Sequence, residues 1–132
     1  MNKIFDFIFS KKTATRDEIL NHGLKLALKW GKVWLTPIQS RLSRKFPFLS
    51  QSELDDYNQL CRQTMDIGFG FVRETLENSY DKKLEIKEEK LKYDFNKYML
   101  EINPWINNSN LRQIFSQGLY YSWKDGLSEY LK

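Results

Sequence analysis

The sequence predicts an all-α fold, a single-domain bundle of four to five helices over residues 13–132, preceded by an apolar arm over residues 1–12. Three observations lead there. Apolar residues recur at three- and four-residue spacing along most of the 132-residue chain. Capping signatures stand where that spacing begins. Strand-like alternation is weak by comparison. The packing expected is up-and-down or partly orthogonal.

The arm, "MNKIFDFIFSKK", interrupts its apolar residues with Asp6 and ends on Lys11 and Lys12. It is too short for a secretory core and lacks a small-residue cleavage site, so the chain is read as uncleaved and cytoplasmic. If helical, Ile4, Phe5, Ile8 and Phe9 would share one side, flanked by Lys3, Lys11 and Lys12. Such a segment either docks on its own domain or rests on a membrane surface.

The first helix opens at the capping box "TRDE" (15–18) and carries Ile19, Gly23, Leu26, Ala27, Trp30, Val33 and Trp34 at helical spacing. Gly23, Ala27 and Gly31, four apart, would align as a groove for another helix, either within the domain or in a dimer. "TPIQ" (36–39) predicts a second, short helix with Thr36 as cap and Pro37 at its first position. Pro47 ends it at Phe46, because the residue before proline is pushed from helical angles.

"SQSE" (50–53) opens the third helix, whose apolar register is Tyr57, Cys61, Met65, Gly68, Val72, Leu76 and Tyr80. A break is expected in "ENSYDKK" (77–83), with Ser79 or Asp81 capping the next helix; without it, residues 52–102 would form one long rod. Leu84, Leu91, Phe95, Tyr98 and Ile102 lead to Pro104, which forces a turn. "NNSN" (107–110) caps the last helix, with Leu111, Ile114, Phe115, Gly118, Leu119 and Tyr121 or Trp123 as its face and Gly126 as its end.

Inside the third helix, "DIGFGFVRE" places Gly68 and Gly70 two residues apart, each costing about 1 kcal/mol relative to alanine. Gly68 lies in the apolar register, where a missing side chain admits a neighbouring helix. Gly70 lies on the polar side with Gln63, Asp66, Arg73 and Glu77, which implies a bend or a close approach by a partner. The pair meets neither nucleotide-binding glycine fingerprint.

Charge is uneven. Residues 1–50 hold ten Lys/Arg against three Asp/Glu, a net +7, and residues 51–132 hold eleven against fourteen, a net −3. Lys25, Lys29 and Lys32 follow at i, i+4 and i+7, with Trp30 and Trp34 beside them, and Arg41, Arg44 and Lys45 come next. This is the clearest basic patch in the chain. It is a solvated face over a tryptophan-rich core, or a surface for anionic membrane or nucleic acid. Sequence-specific DNA binding is disfavoured, since "FGFVRETLEN" sets one arginine against two glutamates.

Enzymatic signatures are lacking. His22 is the one histidine, which removes His-based metal pairs, and Cys61, the one cysteine, lies on an expected core face. A single cysteine also forms no internal disulfide. Glu53, Asp55 and Asp56 suit a helix first turn, while Glu85, Glu88 and Glu89 alternate with lysines as on a solvated face. The expectation is a non-enzymatic protein without cofactor or metal, acting through interaction or regulation. Its working surface would be the basic face of residues 25–45 or a groove beside Gly70. A small-ligand pocket lined by Trp30, Trp34, Phe69 and Phe71 is a further alternative. No apolar run approaches the ~20 residues that span a bilayer.

Overall fold

The computed structural model describes residues 14–132, so the apolar arm of residues 1–12 lies outside the described residues. Among these the chain forms five helices: α1 (Arg16–Ala27), α2 (Gln39–Lys45), α3 (Gln51–Lys82), α4 (Glu88–Ile102) and α5 (Asn108–Lys124). The fold is all-α, and the described residues contain no strand beyond one isolated bridge between Ile86 and Leu131.

Three of the five starts follow from local hydrogen bonding. The Thr15 hydroxyl accepts from the Glu18 amide at 3.1 Å and caps α1. At α3 the box closes in both directions: the Glu53 amide donates to Ser50 Oγ at 3.1 Å, and the Ser50 amide donates to Glu53 Oε1 at 2.9 Å. Asn107 caps α5 through the Asn110 amide at 2.8 Å. Each satisfies backbone donors that a helix start leaves without an internal acceptor.

The expected cap of α2 is corrected. Thr36 does not cap it, and Pro37 is not its first residue; the helix begins at Gln39, with Ile38 at the cap position and no side-chain cap. The Ile38 amide instead donates to Asn58 Oδ1 of α3 at 3.0 Å. A long-range acceptor thus replaces the local one.

The chain divides into two compact units, one ending at Arg62 and one covering Gln63–Lys132. In the first, Leu20 and Leu24 of α1, Ile38, Leu42 of α2 and Cys61 of α3 are completely buried. Gly23 is what lets α1 meet α3. A Cβ there would stand 2.8 Å from Cys61 Sγ and 3.3 Å from Ile38 Cδ1. The Cys61 thiol donates to the Leu20 carbonyl at 3.4 Å.

In the second unit, the later turns of α3 pack with α4 and α5 in an up-down-up order. A Cβ on Gly68 would lie 2.3 Å from Ile114 Cγ2, and one on Gly118 would lie 3.1 Å from Val72 Cβ. Each helix therefore offers a glycine to the other's branched residue, four positions apart on both, which fixes α3 and α5 parallel and in register. Phe95 sits between them: a Cβ on Gly68 would also come within 3.5 Å of its ring, which is 5.2 Å from that of Phe115. The buried face of α4 is Leu91, Phe95 and Met99. Tyr98 and Ile102, expected there, are exposed, and Leu84 precedes the helix and is exposed as well.

The break after α3 is real but falls later than expected. Neither Ser79 nor Asp81 caps a new helix; α3 continues to Lys82. There the Leu84 amide donates to the Ser79 carbonyl at 3.0 Å and the Lys83 amide to that of Tyr80 at 3.2 Å, with Lys83 left-handed at φ 54°. This is a Schellman ending built without glycine. The Ser79 hydroxyl donates to the Leu84 carbonyl, tightening it further. At α5 the same ending uses Gly126 (φ 79°), as the sequence predicts, with the Leu127 amide donating to Ser122. The last residues then return to the α3–α4 connection: the Ile86 amide donates to Tyr130 at 3.0 Å and the Lys132 amide to Ile86 at 2.8 Å.

Candidate functional site

The basic residues belong to the first unit, and their setting differs from the helical row that spacing suggested. Helix α1 stops at Ala27. The Leu28 amide makes the last regular bond, to Leu24, the Lys29 amide tightens the end by donating to Leu26, and Gly31 at φ 100° cannot continue a helix. Lys25 thus sits in the last turn of α1, whereas Lys29 and Lys32 ride on the connection to α2. Trp30, Val33 and Trp34 leave the helix with them. The small-residue series breaks for the same reason. Gly23 and Ala27 are buried in the unit's own core, and Gly31 stands outside the helix with nothing within 4 Å of an added Cβ.

The connection has its own order. Trp34 and Thr36 donate their amides to the Gly31 and Val33 carbonyls at 3.0 Å each, giving two tight turns, and Leu35 takes a left-handed φ of 66°. Arg41 fastens its two ends. One guanidinium nitrogen donates to the Leu26 carbonyl at 3.1 Å, before the connection. The other donates to the carbonyl (3.3 Å) and hydroxyl (3.2 Å) of Thr36 and to the Pro37 carbonyl (3.4 Å), after it. A planar fork with several fixed donors suits this task as an ammonium would not. Burial, followed by the charge of Arg44, lowers the Arg41 pKa from its usual value.

Arg41 is therefore a structural clasp. The other five residues of the patch, Lys25, Lys29, Lys32, Arg44 and Lys45, are exposed, and among the described residues none of them is ion-paired. The reason lies in the sequence: residues 19–52 contain no Asp or Glu at all. The nearest carboxylates along α3 are engaged elsewhere, Glu53 with Ser50 and Asp55 with Gln51 and Gln39. His22 reports the resulting field. Its imidazole lies edge-on to Phe46, ring centres 5.7 Å apart. Partial burial, then the positive charges of Lys45 and Lys25, lower its pKa. Lys25 and Lys45, at opposite ends of the patch in sequence, thus both act on one ring.

Two large apolar side chains accompany these charges on the connection. Trp30 is 48% exposed and Leu35 is 53% exposed, while Trp34 is half-buried. Leu35 was not among the residues expected to matter. Periodicity could not flag it, because its position follows from a left-handed turn that no local residue type announces.

The glycine and aromatic candidates of the second unit separate. Gly68 is filled by Ile114, Met99 and Phe95 of its own unit. An added Cβ on Gly70 would meet nothing within 4 Å. Phe69 and Phe71 turn to different neighbours: Phe69 meets Tyr121 edge-on at 5.8 Å, and Phe71 stacks on Tyr98 at 4.8 Å. The two thus have separate ring partners, and Trp30 and Trp34 belong to the other unit.

The chemistry of the remaining candidates is muted. Burial pushes the Cys61 thiol up to about 12, so it stays protonated at neutral pH. Among the described residues no three His, Cys, Asp or Glu side chains are grouped to hold a metal ion. No helix among them is long and apolar enough to cross a membrane. Set against known proteins, the chain matches no family model, no curated sequence and no solved structure, which leaves its own residues to carry the functional reading.

Proposed function

We propose that the protein is a non-enzymatic binding protein that attaches to an anionic surface through the cationic face of its first unit. One observation carries this reading: Lys25, Lys29, Lys32, Arg44 and Lys45 are exposed and, among the described residues, without ion-pair partners, within a 34-residue stretch that holds no acidic residue. Like charges gathered without internal neutralisation repel one another, and an opposing charged surface relieves that repulsion while gaining long-range attraction. The overall charge of +4 understates the effect. Residues 1–62 carry eleven Lys/Arg against six Asp/Glu, and residues 63–132 carry ten against eleven. The net positive balance thus lies in the first unit, +5 against −1 in the second.

The test is retention on an immobilised polyanion such as heparin, for the wild-type chain and for Lys29→Glu with Lys32→Glu and Arg44→Glu. Wild type elutes late and the triple variant early, each in a salt-dependent manner. Equal elution of the two proteins rejects the cationic face as the binding surface.

A further inference from the structure

We infer that the surface recognised is an anionic phospholipid bilayer, and that the 28–38 connection is the element that enters it, Trp30 and Leu35 seated at the headgroup boundary with Lys29 and Lys32 on the phosphates. This rests on the cationic-face reading above and specifies its partner.

The composition of the connection separates a bilayer from other polyanions. Nucleic acid offers bases that stack on aromatic rings, and Trp30 alone would suit that role. An exposed aliphatic side chain finds only a methyl group or a base face there, far less apolar area than an acyl layer offers. Leu35 is 53% exposed on the same connection as Trp30, which is 48% exposed. Leucine gains from leaving water only where hydrocarbon receives it. Tryptophan is the residue that favours the boundary between hydrocarbon and headgroups, and lysine lies naturally just outside it. All three types occur within the seven residues from Lys29 to Leu35.

Geometry supports the same occupant. Two tight turns and the positive φ values of Gly31 and Leu35 keep the connection from folding into a helix. Arg41 ties its two ends together through Leu26, Thr36 and Pro37. The side chains are therefore presented by a fixed base, so little ordering is required on contact. Arg44 adds its charge beside Arg41, and Lys25 and Lys45 add theirs beside His22. Each lysine or arginine close to an anionic leaflet adds about fivefold in affinity.

The experiment uses the full chain and vesicles of phosphatidylcholine alone or mixed equally with phosphatidylserine, followed by co-sedimentation across a salt titration. Wild type binds the mixed vesicles and not the neutral ones. Trp30→Ser with Leu35→Ser weakens that binding about tenfold, and because both side chains are about half exposed the variant keeps its helical circular dichroism. Brominated lipid quenches wild-type fluorescence, and Trp30→Phe, which still binds, loses the part owed to Trp30. Binding of mixed vesicles that is unchanged by the double serine variant, with no Trp30 quenching, overturns insertion and leaves the cationic face standing. Capture of heparin or a single-stranded oligonucleotide without any vesicle binding overturns the bilayer as partner and again spares the cationic face. Failure to bind heparin, oligonucleotide or mixed vesicles removes both.

Discussion

A methyl group added at Gly68 would stand 2.3 Å from Ile114 Cγ2, whereas one added at Gly70 would meet nothing within 4 Å. Two glycines in one helix therefore respond in opposite ways to the same change. Gly68→Ala is expected to lose about 1–3 kcal/mol through overpacking against α5. Gly70→Ala is expected to gain up to about 1 kcal/mol, because it improves helix propensity without a clash. Equilibrium denaturation of both variants checks the pair. Titration at single residues has equally definite signs. The folded His22 lies below its ordinary value of about 6.5, so the unfolded chain takes up the proton first as pH falls. Stability is full above that value and is lost as pH drops from it towards the folded one. His22→Gln flattens this dependence in pH-dependent melting curves. For Cys61 the folded thiol, at about 12, lies above the unfolded one near 8.5, and stability declines as pH rises through that interval. Below it, a thiol reagent is expected to label Cys61 only as fast as the first unit opens.

At the scale of elements, the ends of helices decide which segments are rods and which are surfaces. Lys83 closes α3 in a left-handed conformation at φ 54° that glycine adopts freely. Lys83→Gly is accordingly expected to stabilise the protein by about 1 kcal/mol, read from the same denaturation curves. The Ser50–Glu53 box acts in the other direction: Ser50→Ala costs about 1 kcal/mol. Hydrogen bonding by the Ser50 amide, and then by the Ser50 side chain, also holds the Glu53 carboxyl below its usual range, so the box contributes above that range and fades as pH falls through the folded value. Arg41 is the element-level counterpart in the loop. Arg41→Lys loses the fork that joins Leu26 to Thr36 and Pro37. Amide hydrogen exchange over residues 28–38 is expected to accelerate while α1 and α2 stay protected. Equal protection in the two proteins argues against the clasp.

For the whole molecule, the arrangement of charge matters more than its sum. The second unit mixes its signs and forms the ion pairs Arg73–Glu77, Arg73–Asp125 and Lys90–Asp94. Exposed pairs of this kind contribute little stability, but they neutralise the surface locally. In the first unit Lys25, Lys29, Lys32, Arg44 and Lys45 form no ion pair among the described residues, and the connection between α1 and α2 adds apolar side chains among them. Attachment driven by such a surface is expected to weaken steeply with salt, and the double serine variant at Trp30 and Leu35 to bind chiefly through charge, with a larger proportional loss on salt addition. A vesicle titration at several ionic strengths measures both.

The sequence by itself determined the helical class, the starts at Thr15, Ser50 and Asn107, the stops before Pro47 and Pro104 and at Gly126, and the core register from Cys61 to Val72. These are local matters: a side-chain oxygen reaches an amide three residues on, proline forbids one backbone angle, and apolar spacing repeats along one rod. It also located the basic patch, since composition alone shows where acids are missing. Only the tertiary structure decided where α1 stops, which of the six basic residues is a clasp, and that Leu35 faces water. Two physical reasons apply. Leu35 and Lys83 take left-handed angles without the glycine that would announce them, whereas Ile38 finds its acceptor twenty residues away on Asn58 and Arg41 reaches across a connection to Leu26, partners that adjacency in the chain does not supply.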